Sequence, residues 1–165
     1  MKLKKLIAPL AAAAVLAVIG LNVKIQTPEE YYSEKPQAVT EDTDWVILTV
    51  EYKSVCSSSE LPRELEKDGV MIDGEKYVLQ RGDSVFDVIE RALRSEDLPW
   101  DHTLGSNTYI RGVGGLYEFD FGPMSGWYYT VNGDAPKVSC AAYEPVCGDE
   151  IVLKYVTDLQ EEKVR

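Results

Sequence analysis

Residues 125–136 read SGWYYTVNGDAP, three aromatic side chains in a row ahead of an Asn-Gly pair. Alternate residues of a strand face opposite sides, so Trp127, Tyr129 and Val131 form one set, directed inward. Tyr128, Thr130 and Asn132 form the other, directed outward. Asn132-Gly133 is a turn signal of the kind that reverses a hairpin. The stretch therefore predicts a half-buried strand closed by a tight turn, and the fold is decided by what pairs with that strand.

The segments around it supply the partners. NTYIRGV (107–113) and LYEFD (116–120) are strand-like runs separated by Gly-rich breaks, and DEIVLKYVTDL (149–159) alternates Ile151, Leu153 and Tyr155. Near the other end, DWVILTVEYKSV (44–55) puts Val46, Leu48, Val50 and Tyr52 on one face, with Thr49 and Glu51 on the other. Residues 57–73 read as loop, broken by Pro62, Asp68-Gly69 and Asp73-Gly74, before a short second strand EKYVLQ (75–80). One long helical pattern stands among these strands. Ser84 and Asp87 have capping-box spacing, and Val85, Ile89, Ala92 and Leu93 recur at helical intervals. The expectation is an α+β domain, one helix covering one face of a small mixed sheet.

Ahead of this domain, residues 6–23 read LIAPLAAAAVLAVIGLNV, uncharged and apolar, after the basic KLKK. Such a run is an N-terminal hydrophobic export segment, either a cleaved signal peptide or a retained membrane anchor helix, with the basic end on the cytoplasmic side. The division expected is 1–23 signal peptide or anchor, 24–43 acidic linker, 44–159 folded domain and 160–165 tail. The linker is inferred from QTPEEYYSEKPQAVTEDTD, polar and acidic with no apolar period. Four of the 17 Lys and Arg and none of the 28 Asp and Glu lie in residues 1–26, which leaves the exported part with 13 against 28 and a net charge of −15. A surface so acidic repels phosphate backbones, so no nucleic-acid partner is expected.

Motifs of catalysis and metal binding find little support. His102 is the only histidine, in a loop expected over 99–107, and reads as a solvated residue without metal-ligand spacing around it. GVGG (112–115) lacks the spacing of a nucleotide-binding loop and reads as a turn or bulge. The tripeptide Arg81-Gly82-Asp83 reads as a turn into the helix rather than an adhesion motif. No pair of carboxylates stands apart as acid and base. The chain is therefore expected not to be an enzyme, to require no cofactor and to hold no metal.

Several of these motifs recur in a fixed order elsewhere. Gly82-Asp83-Ser84 before the helix, Tyr109-Ile110 with Gly114, Ser125-Gly126-Trp127 with Tyr129 and Val131-Asn132-Gly133, and Tyr143 ahead of Gly148-Asp149 and Ile151 resemble the transcobalamin-like C-terminal domain family (DUF4430). That family is similar to the small β-domain of the vertebrate cobalamin carriers transcobalamin and intrinsic factor. The resemblance implies a β-grasp-like fold and a ligand-binding module of the cell surface, with cobalamin or another corrinoid as ligand. In the carriers this domain closes over one side of the corrinoid through the strand matching Trp127 and the loop after it. Carried over to this sequence, the implied ligand contacts are Trp127, Thr130, Val131, Asn132 and Tyr143. The chain departs from the carriers in having GDAP (133–136) for their longer loop, and their helical-barrel domain has no counterpart in these 165 residues.

The three cysteines, Cys56, Cys140 and Cys147, allow one disulfide in an exported protein. A β-grasp-like fold, with first and last strands parallel, separates Cys56 from Cys147. Cys140–Cys147 then closes a short loop and is the preferred pair, Cys56–Cys140 the alternative, and a reduced protein the third state. The functional expectation is an exported, extracellular module for a small-molecule ligand, held at the membrane through residues 6–23 if these are uncleaved. The alternative is a non-catalytic envelope module that binds a protein partner or a glycan through its Tyr-rich surface.

Overall fold

Trp45–Glu51 alternates half-buried and buried residues along its length, the signature of a strand with one face in a core, and forms β1. The computed structural model describes residues 38–158 apart from 64, 66, 67 and 106. The expected export segment, most of the acidic linker and the tail lie outside the described residues. No helix among the described residues is long and apolar enough to cross a membrane. The remaining elements are β2 (Val70–Val78), α1 (Val85–Ser95), β3 (Trp100–His102), β4 (Ile110–Val113), β5 (Leu116–Tyr117), β6 (Gly126–Val131) and β7 (Glu150–Val156).

The four-stranded sheet has the order β2-β1-β7-β6. Its two central strands, first and last in sequence, run parallel, with Leu48 opposite Ile151 and Val50 opposite Leu153. The outer strands pair antiparallel to them. Inward residues of β1, β6 and β7 share one core with Val85, Val88, Ile89, Ala92 and Leu93 of α1. This is the small mixed sheet with one covering helix that the sequence predicts.

Four details differ from expectation. The sheet is not alone, since β3, β4 and β5 form a second, antiparallel one. β3 occupies part of the expected loop 99–107, where Trp100 and His102 rings stack 4.8 Å apart with Phe86 beside both, so His102 is half-buried rather than solvated. β2 begins at Val70 rather than Glu75, because Asp73-Gly74 is not a break. Gly74 takes a positive φ of 65° inside the strand, and register shifts along β1 at Leu48–Glu51 absorb the irregularity. β5 in turn stops at Tyr117: Phe119 turns to φ 72° and the Asp120 carboxylate accepts the Tyr117 N–H.

Both ends of α1 are closed by local chemistry. Ser84 and Asp87 form the capping box, and the Asp83 carboxylate is held by Arg91 and by the Gln80 N–H, so the Arg-Gly-Asp tripeptide is a helix entry. The next two amides donate across the chain, Val85 to the Tyr143 carbonyl (2.9 Å) and Phe86 to the Cys140 carbonyl (3.0 Å). At the other end Asp97 sits at φ 52°, with Asp97 N–H donating to Arg94 O and Leu98 N–H to Leu93 O, a Schellman closure.

The turn after β6 is a two-residue hairpin with Asn132 at φ 52° and Gly133 at φ 83°. Val131 and Asp134 exchange both main-chain bonds across it. The Asn132 side chain reaches β7, donating to Asp149 Oδ1 (2.8 Å) and accepting from the Glu150 N–H (2.9 Å). Asp149 Oδ2 in turn accepts the Val146 N–H. Val-Asn-Gly and Gly-Asp-x-Ile are thus two halves of one clamp. Asn132→Ala removes both side-chain bonds and leaves a Cβ-bearing residue at positive φ, so it is expected to cost about 1–3 kcal/mol. Urea denaturation checks this, with Asn132→Gly losing less because its backbone is at ease there.

Candidate functional site

β6 is built to show one edge and two unlike faces. Opposite β7, Trp127 pairs with Tyr155, Tyr129 with Leu153 and Val131 with Ile151, and these inward partners are all buried. Trp127 is 1 % exposed, its Nε1 donates to the Leu116 carbonyl (2.9 Å), and its ring meets that of Tyr155 edge-on at 5.5 Å. Tyr129 is on the same side but only half-buried, because no strand among the described residues covers it: its hydroxyl donates to the Val138 carbonyl (2.8 Å). Thr130 shares the outward face with Tyr128 yet is also buried.

Between the β6 edge and two loop walls lies a cleft of about 610 Å³. One wall is Asn107–Ile110, the other Ala135–Cys140, and Trp127, Tyr129 and Leu153 contribute to the floor. The volume falls in the range of small-molecule sites. The second wall is irregular chain fastened at two points, by Tyr129 to Val138 and by the Cys140 carbonyl to α1. Ser139 Oγ, in the same wall, is sealed from solvent and has no hydrogen-bond partner among the described residues.

The phenol and thiol groups of the cleft are neutral, while Lys137 is the charged residue of its lining. Burial pushes the Tyr109 phenol up to about 12, aided by Glu118 and partly offset by a hydrogen bond from the Trp127 main chain. Burial likewise takes Tyr129 to about 12 and the Cys140 thiol to about 11. At neutral pH these groups are hydrogen-bond donors on an apolar floor, and Cys140 is a protonated thiol rather than a nucleophile. Among the described residues no cluster of three His, Cys, Asp or Glu is placed to hold a metal ion.

Of the residues singled out in the sequence, Trp127 lines the cleft. Thr130 and Val131 are buried along the strand beyond it, and the Asn132 amide is engaged in its clamp. Tyr143 packs against the core and offers its carbonyl to α1. The preferred disulfide is not formed: Cys56, Cys140 and Cys147 are free. Cys140 turns inward, its thiol donating to the Thr108 carbonyl, whereas Cys147 is exposed. Tyr109, Tyr129 and Ser139 are cleft residues that the sequence does not mark as ligand contacts. Tyr109 and Tyr129 stand in the family motifs, while Ser139 lies in a loop with no period to distinguish it.

Residues 82–157 match the family described as Domain of unknown function (DUF4430). The matched segment runs from the helix entry through β7, so it holds the whole cleft; β1 and β2 precede it. The resemblance to the DUF4430 family read from the separated motifs is therefore shown. No curated protein matches the chain. Among solved structures, a candidate metal-binding protein from Ruminococcus gnavus ATCC 29149 is similar, at 17 % identity and TM-score 0.43 over 68 % of this chain and 96 % of that one. Haptocorrin in complex with Cbi is similar at 14 % identity and TM-score 0.49, over 74 % of this chain and 27 % of that one.

Tyr77 is also raised to about 12, by burial and by Glu96. For these three phenols the folded value lies above the unfolded value near 10, so between pH 10 and 12 the unfolded chain releases protons that the folded one retains. Stability contributed by them is complete below pH 10 and falls as pH rises toward 12. Urea midpoints at pH 9 and pH 11 test this, the lower midpoint being expected at pH 11.

Proposed function

We propose that this chain is a non-catalytic ligand-binding module displayed on the outer side of the cell membrane, and that the cleft beside β6 is its binding site. The observation that carries the reading is the cleft itself. It combines an apolar floor with neutral phenol and thiol groups, a surface made for holding a ligand rather than for acid–base or nucleophilic chemistry.

A corrinoid, or another planar and partly apolar small molecule, is the ligand class. What supports it is the family resemblance, which assigns ligand contact to this strand and the loop after it, the elements that here make floor and wall. A half-open cleft covers one side of such a molecule, so the module alone binds more weakly than a two-domain carrier. Export is supported by the apolar run 6–23 after the basic KLKK.

Titration of the protein with cobinamide and with cobalamin, read by tryptophan fluorescence and calorimetry, tests the ligand. Trp127 lies in the cleft floor, while Trp45 stands under Lys76 and Trp100 against His102. Saturable quenching is expected that persists in Trp45→Phe and weakens about tenfold or more in Val138→Glu, which puts a charge at the apolar lip. Absence of heat and quenching at high micromolar ligand sinks the corrinoid reading. For export, a membrane-impermeant maleimide on intact cells is expected to label exposed Cys147, and labelling only after lysis contradicts it.

A further inference from the structure

The register of β6 leaves one main-chain site open within the cleft. Asn132 N–H donates to the Glu150 carbonyl (2.8 Å), so the residues of β6 that exchange bonds with β7 are the even-numbered ones, Tyr128 with Lys154 and Thr130 with Val152. Odd-numbered residues direct N–H and C=O the other way, where the sheet has no further strand among the described residues. At Val131 both groups are engaged by Asp134 across the turn. At Trp127 the N–H faces the Tyr109 phenol. Tyr129, midway along the cleft, keeps an N–H and a C=O side by side with no main-chain partner among the described residues.

An adjacent donor and acceptor on a strand edge are the template for another extended chain. We propose that the cleft captures an extended peptide segment of a partner protein by strand addition to β6, one peptide residue exchanging both main-chain bonds with Tyr129. The peptide's apolar side chain rests on Ile110, Trp127 and Leu153 of the floor. A cleft of about 610 Å³ between two loop walls holds a few residues of thin chain, not the sheet edge of a second folded copy. Two copies with net charge −11 also repel one another, and a lining that is apolar but for Lys137 and a few hydroxyl, thiol and amide groups fits an uncharged, apolar peptide. This inference rests on the cleft's being the binding site and differs from the corrinoid reading in what fills it.

The test pans a display library of random hexapeptides against the full chain, then resynthesises enriched peptides with one backbone N-methyl group at each position in turn. N-methylation at a single residue is expected to weaken binding about tenfold or more, because it removes the donor to Tyr129 O, with little change at its neighbours. Bound peptide is expected to slow hydrogen exchange of the Tyr129 amide at least tenfold, and Val138→Glu to abolish enrichment. Peptides that tolerate N-methylation everywhere, or leave Tyr129 exchange unchanged, overturn strand addition. So does a dimer in sedimentation that protects the same amide without peptide. Saturable cobinamide binding with no peptide enriched leaves the small-molecule reading standing and removes this one; failure of both probes removes the cleft as a site.

Discussion

One buried phenol joins the two sheets. Tyr155 belongs to β7, in the four-stranded sheet, and its hydroxyl lies 2.8 Å from the Tyr117 carbonyl of β5 and 2.9 Å from Ser125 Oγ. Ser125, fully buried, also accepts the Phe121 N–H and donates to the Gly122 carbonyl. Burial raises the Tyr155 phenol, and the Ser125 hydrogen bond works against that shift. With Trp127 and Phe121 against its ring, Tyr155 fixes where β6 starts and therefore which of its residues face the cleft. A polar group at this depth is tolerable only because its hydroxyl is bonded.

The elements that were legible in the sequence are those with a period or a cap. The alternation in β1 and β7, the capping box of α1 and the inward set Trp127, Tyr129 and Val131 each state a local preference that the fold obeys. The parallel pairing of first and last strands came with the family resemblance and is present. What escaped is set by neighbours. β3 is three residues long, and its register comes from β4 rather than from its own pattern. Asp73-Gly74 reads as a break because the same dipeptide makes turns, and only the partner strand turns it into a bulge.

The site shows the same division more sharply. Trp127 was legible because its motif is distinctive, although its depth makes it floor rather than a free contact. Asn132 was conspicuous for the same reason, but its amide lies opposite Asp149, a pairing that depends on two segments 17 residues apart meeting. The wall from Ala135 to Cys140 has neither helical nor strand period, so only the tertiary structure could place it beside Tyr129. The protonation of the cleft's phenols and thiol is also a tertiary property, since it is burial that keeps them neutral.

The carbonyls of Cys140 and Tyr143 that receive the first amides of α1 belong to the chain that continues directly from the outer wall. Wall and helix entry are consequently one mechanical unit. A visitor that tugged on the wall would strain the first turn of the helix, and the capping box resists that strain. The cleft is held ready before anything enters it, so an occupant does not have to pay the entropy of ordering a loose loop.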